Sequence, residues 1–284
     1  MLKYIKIVKW GFEMEKVLGK IKELESGEVG IIIYSQVKQD VLLSLNSGLL
    51  LPLASAAKVP IAFCIAKLIE ERHYKWTDIV EDVTFNPEED GKEVYPHFQN
   101  RDNLSLQDAV EVMIACHDSF VANRIVQFCG GWEMINQKLK SYFNNINITQ
   151  NPRDLNNKGE LSEMLELLRL IYQGYEINPD LWTPVINGLV RQRGDIDGIP
   201  SHYLNHMTGG LDNLIVDIGI MGEFSKNPLL FVVGAKGLPN RYKEKLADEI
   251  IIDAMKLIYD EYCNQEVHPK TSFKGENDEL YSIS

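Results

Sequence analysis

The sequence predicts an α+β fold: an antiparallel five-stranded sheet flanked by terminal helices, with an all-helical lobe inserted into it. Three observations carry this reading. Short apolar, β-branched runs occur near the start (29–35 and 41–45) and again after residue 200 (203–208, 214–221 and 229–235). Between them, residues 59–199 contain a succession of segments with helical patterning. Helical segments also bracket the whole, at 13–25 and 241–262. One domain over residues 14–265 follows, with an α/β lobe (14–58 and 200–265) and a helical lobe (59–199). Residues 1–13 read as an N-terminal extension and 266–284 as a polar tail.

Each element has a local cause. The first helix stops at Ser26-Gly27, where glycine accepts the left-handed conformation that ends a helix. The polar stretch 36–40 turns the first two strands into a hairpin. The helix over 58–72 carries Pro60 in its first turn, where a missing N–H costs little. Residues 81–103 are polar and turn-rich. A helix then runs to Ala115 with Ser105 as its N-cap and Asp108 three residues on. Further helices are expected over 119–128, closed by Gly130-Gly131, over 133–142, and over 160–172, ending at Gly174. Residues 144–158 read as a polar loop.

Composition excludes several function classes. A net charge of -12, with no Lys/Arg cluster interleaved with aromatics, argues against nucleic acid as a partner. No run approaches the roughly 20 apolar residues of a membrane span, and residues 1–12 lack the continuous apolar core and cleavage site of a signal peptide. A cytoplasmic location is the expectation. Cys64, Cys116, Cys129 and Cys263 form no C-x-x-C pair and read as buried free thiols. His202 and His206 stand four apart, but on a strand, with no acidic third ligand; neither a metal nor any other cofactor is expected.

The chemistry-bearing segment is Pro52-Leu53-Ala54-Ser55-Ala56-Ala57-Lys58-Val59-Pro60. Serine and lysine three apart at a helix start lie one turn from each other on one face. A hydroxyl needs a neighbour to take its proton before it attacks a carbonyl. A desolvated lysine can be that neighbour. Taken alone, Ser-x-x-Lys is common and fits equally a helix-start serine followed by a surface lysine.

Three segments together distinguish the readings. The Ser55 segment, the run Met113-Ile114-Ala115-Cys116-His117-Asp118-Ser119-Phe120-Val121-Ala122-Asn123, and the strand His206-Met207-Thr208-Gly209-Gly210 occur in this order. They resemble the Ser-x-x-Lys, Ser-Asp-Asn and Lys-Thr-Gly motifs of the class A β-lactamases and related penicillin-binding DD-peptidases. The resemblance implies that fold, with Ser55 as nucleophile, Lys58 as its base, and backbone N–H groups of Ser55 and Gly210 as the oxyanion site. Thr208 would bind a substrate carboxylate, while Asp118 and Gly209 keep their motif positions. The implied partner is a small-molecule or peptide-like substrate: an amide, an ester or a β-lactam.

The departures are specific. His117 stands at the serine position of the second motif and Ser119 at its asparagine position. Met207 replaces the lysine of the third, removing a positive charge; by their motif positions Ser119 and Met207 are still expected among the substrate-binding residues. Residues 144–159 contain no glutamate, and Asp154 is the only acid there, so slow deacylation is expected. His117 has two readings: a proton carrier with a pKa near 6.5, or a polar residue capping the helix that starts near Ser119. Two alternatives to a hydrolase stay open, a non-catalytic ligand-binding protein that keeps the cleft and a glutaminase-like cytosolic amidase.

Overall fold

The computed structural model describes residues 5–7, 12–98, 100–226 and 228–267. Its central sheet is antiparallel and built from both chain ends, in the order β1-β3-β2-β10-β9-β8. The first half supplies β1 (Ile5–Ile7), then helix α1 (Phe12–Lys22), and the hairpin β2 (Glu28–Ser35) and β3 (Asp40–Leu45). The second half supplies β8 (Leu204–Leu211), β9 (Leu214–Met221) and β10 (Leu229–Lys236), then α9 (Leu246–Val267). The five expected strands are all present. The short sixth, β1, lies in the segment expected to be an extension and pairs with β3, Ile5 opposite Leu45. Residues 1–4 and 8–11 and the tail from 268 lie outside the described residues.

Between the two halves run β4 (Leu50–Pro52), a 3-10 turn (Ala54–Ala57) and α2 (Lys58–Glu70), then β5 (Ile79–Val80), the one-turn α3 (Gly91–Val94) and β6 (Leu104–Ser105). Helices α4 (Leu106–Ala115), α5 (Ser119–Phe128) and α6 (Gly131–Lys140) follow, then β7 (Lys158–Glu160), α7 (Leu161–Ile177) and α8 (Pro179–Arg191). Ser105 caps α4 as expected, its hydroxyl accepting from Asp108 N at 3.3 Å.

Two apolar cores divide the molecule by sheet face. Ile31, Ile33, Phe231 and Val233 pack against Met14 and Val17 of α1 and Ile251 and Ile258 of α9. Ile32, Val216, Ile218 and Val232 point the other way, into a core shared with α2, α4, α7 and α8. The period-2 alternation of a strand makes this possible: successive side chains serve opposite layers.

Two expectations are corrected. Gly174 does not end its helix; α7 continues to Ile177. A Cβ at Gly174 would stand 2.3 Å from Trp182 Nε1, so this glycine admits the Trp182 ring of α8. The final helix starts at Leu246, not Arg241, whose guanidinium instead bonds Asp248 Oδ1 at 2.6 Å and the carbonyls of Leu211 and Leu214. All four cysteines are free; Cys64, Cys116 and Cys129 are buried and Cys263 is half-buried.

Candidate active site

Strand β8 lies at one edge of the sheet, and the 3-10 turn carrying Ser55 packs directly on it. The contact needs a residue without a side chain: a Cβ on Gly209 would lie 2.2 Å from Leu53 O and 2.9 Å from Ala56 N. The turn itself is held from the far side. Leu53 N donates to Asn157 O at 2.8 Å, and Asn157 Nδ2 donates to Ala54 O at 3.2 Å. The pairing of β4 with β7 anchors that loop beneath the turn. Ala54 takes a left-handed φ of 47°, a conformation that costs energy for a residue with a Cβ.

From this turn α2 begins at Lys58, and its ammonium donates to Ser55 Oγ at 3.3 Å. Lys58 is 3% exposed. Burial lowers its pKa to about 8, against the opposing pull of Glu89 and Asp118. A lysine so placed is neutral in a useful fraction near physiological pH.

The second expected segment lies at the end of α4. His117 has a left-handed φ of 53°, and the chain turns there into α5. Asp118, not His117, caps α5: its Oδ1 accepts from Phe120 N and Val121 N, both at 2.9 Å. Its Oδ2 accepts from Asn86 N at 2.9 Å, which ties down the loop 81–90. Asn86 Nδ2 also reaches Ser119 Oγ at 3.4 Å. Burial, then the charges of Lys58 and His206, push the His117 pKa down to about 4. The expected value near 6.5 is therefore corrected, because a desolvated imidazole beside a cation resists a second proton. Its ring bonds Gln192 Nε2 through Nε2, at 2.7 Å.

On β8, Thr208 is half-buried and Gly210 exposed at the edge, whereas Met207 is 0% exposed and belongs to the apolar core under the helical lobe. Met207 thus lies beneath the cleft surface and offers no area to a ligand, a correction to its expected place among substrate-binding residues. The residue before it, His206, points to the other face, where Nδ1 bonds Asp217 Oδ1 and Oδ2 at 2.9 Å and Nε2 faces Gly194 O at 3.1 Å. His202 is exposed, whereas His206 is buried. Among the described residues, no group of three His, Cys, Asp or Glu side chains is placed to hold a metal ion. No helix among them is long and apolar enough to cross a membrane.

A small cavity of about 20 Å³ adjoins Lys58, lined also by Ala54, Ser119, Trp132, Thr149 and Asn157. That is room for about one water. Asn157 Oδ1 is buried and without a hydrogen-bond partner.

Comparison with known proteins agrees with this arrangement. A family model described as the β-lactamase enzyme family matches residues 13–262. The chain belongs to the β-lactamase enzyme family. Among solved structures it is similar to PBP-A, with a TM-score of 0.75 and 16% identity over 93% of this chain and 100% of that one. It is also similar to a point mutant of PBP-A solved as an acyl-enzyme with penicillin G (TM-score 0.73, 17% identity, 89% and 96% covered). A β-lactamase from Chitinophaga pinensis gives 0.74 at 17% identity, with 89% and 100% covered. No curated protein matches the sequence.

Within this β-lactamase-family fold, two residues near the candidate centre escaped the sequence reading. Glu89, in the turn-rich stretch 81–103, is the carboxylate whose charge Lys58 feels most, and burial holds its pKa above the usual carboxylate range. Gln192, just past α8, touches His117. No local motif marks either one; only packing brings them to the cleft.

Proposed function

We propose that this protein forms an acyl-enzyme at Ser55 on an amide, ester or β-lactam substrate and releases it slowly. The observation that carries the reading is the buried Lys58 ammonium on Ser55 Oγ at 3.3 Å. As Ser55 Oγ bonds the substrate carbonyl carbon, its proton passes to the neutral Lys58 amine. Lys58 then returns that proton to the leaving atom as the old bond breaks. The backbone N–H groups of Ser55 and of Gly210, which is exposed at the strand edge, receive the developing oxyanion, while Gly209 lets the turn approach the strand. Slow release is supported by the loop 144–159, which brings amide and hydroxyl groups toward Lys58 and no glutamate. General-base assistance to water is typically worth about 10² to 10⁴ in rate.

Intact-mass measurement after incubation with a panel of β-lactams and activated esters tests this. A stoichiometric adduct that persists for many minutes and is absent in Ser55→Ala is expected. Its rate of formation should climb with pH and level off above about 8, following deprotonation of Lys58. Reversible binding with no adduct from any reagent would replace this reading with that of a non-catalytic binding protein.

A further inference from the structure

We infer that Gln192 is a positioning residue that locks His117 as a neutral imidazole with its proton on Nδ1, so that His117 gives the cleft a fixed hydrogen-bond donor and relays no proton. This deepens the proposed function and rests on it for its catalytic meaning. The tautomer itself stands on geometry alone.

The chain of positions begins with helix packing. A Cβ on Gly188 would lie 2.7 Å from Ile114 Cβ, so α8 and α4 meet at nearly backbone distance. Gln192 N donates to Gly188 O at 3.1 Å, which carries the end of α8 across the end of α4, where His117 turns the chain. Gln192 is 7% exposed, and its amide has one tenable orientation. Nε2 donates both to Arg193 O and to His117 Nε2, the latter at 2.7 Å. The flipped amide would press its oxygen against the Arg193 carbonyl oxygen, and two acceptors repel. Oε1 meanwhile is buried without a partner, so the fold tolerates an orphaned acceptor to keep the donor where it is.

An amide N–H can only donate. His117 Nε2 must therefore present its lone pair, and in a neutral ring the proton sits on Nδ1. Nδ1 has no protein hydrogen-bond partner among the described residues and is not among the buried unpaired atoms, so it remains accessible. A proton-carrying histidine must accept at one nitrogen and donate at the other. Gln192 closes that route, since it has no proton to deliver to Nε2. The groups facing this ring agree: Lys58 from α2 and His206 from β8 both disfavour a second proton. Arg193 follows Gln192, while Glu89 and Asp90 of the neighbouring loop face Cys116 beside it. The proton taken from Ser55 then travels through Lys58 alone, and His117 Nδ1–H serves an acceptor atom of the substrate.

Long-range ¹H–¹⁵N NMR on histidine-labelled protein at pH 7 reads the tautomer directly, with the His117 signals assigned by their loss in His117→Asn. A single form with Nδ1 protonated and Nε2 bare is expected in the unaltered protein. An Nε2–H form, a mixture, or an imidazolium would overturn the inference. Gln192→Glu replaces the donor with an acceptor, so the ring should move its proton to Nε2 and its titration midpoint should rise by more than one pH unit. Acylation of Ser55 in that variant should gain a second pH limb that the parent lacks. A titration unmoved by the change refutes the role of Gln192. These spectra need no reaction at Ser55, so failure of the acyl-enzyme reading is seen separately, as absence of any adduct by mass.

Discussion

His117 and His206 lie on either side of one short segment, Gln192–Gly194, and the protein drives them toward opposite charge states. Both are substantially buried, which by itself lowers a histidine pKa. His206 nevertheless ends above its ordinary value, because Asp217 holds Nδ1 with both oxygens and Gly194 O faces Nε2. His117 has no carboxylate to offset its burial, and with the charges of Lys58 and His206 added to that burial it falls to about 4. Burial pushes both rings the same way, so the difference teaches that the charged partner decides which way a buried histidine in this region is finally driven. At His206 the carboxylate favours the charged form of a ring that ties a strand to a loop; at His117 the surroundings favour the neutral form.

The comparison can be broken most severely at Asp217. Asp217→Asn removes the carboxylate from a buried ion pair, a change that typically costs about 3–5 kcal/mol, read by urea unfolding at pH 7. The raised pKa of His206 also has a signed consequence. Its stabilisation is full below the unfolded value near 6.5 and is lost as pH rises through the folded value. The parent protein should therefore weaken on the alkaline side, and Asp217→Asn should abolish that slope. An unchanged slope would show that His206 is not charged.

His117 should act on the acid side with the opposite sign. Its folded pKa lies below the unfolded one, so its stabilisation is present above about 6.5 and fades as pH falls toward 4. At 1.36 kcal/mol per unit, the loss is up to roughly 3 kcal/mol. His117→Leu should lack this contribution when unfolding is compared at pH 7 and pH 4.5; equal acid sensitivity in both proteins would refute it.

The smallest change falls on the segment between the two rings. A Cβ at Gly194 would lie 2.4 Å from His206 Nε2. Gly194→Ala should thus cost about 1–3 kcal/mol of overpacking. It should also displace Gln192, two residues upstream, and be visible as a changed His117 titration. A shift confined to His206 would mean that the two histidines are held independently.

Much of this was legible in one dimension. Alternating and helical periodicities report which face of an element is apolar, so the five main strands and most helices could be located before any coordinates. Ser55 and Lys58 were readable because a helix start enforces their proximity through covalent geometry alone. Gly174 was misread because a glycine near a helix end signals a stop and an intimate contact equally well. Only the position of Trp182 separates the two.

The sequence by itself determined the layered α+β arrangement, the serine–lysine pair and the absence of a glutamate in the loop 144–159, since these depend on periodicity, short spacing and composition. Tertiary structure alone decided that Met207 is submerged, that Glu89 electrostatically opposes the lowering of the Lys58 pKa, and that Gln192 meets His117. His117 and Gln192 are 75 residues apart, and their meeting depends on two helices closing over Gly188. Protonation follows from the local dielectric and the nearest donors and acceptors, and in this cleft packing between distant segments supplies both.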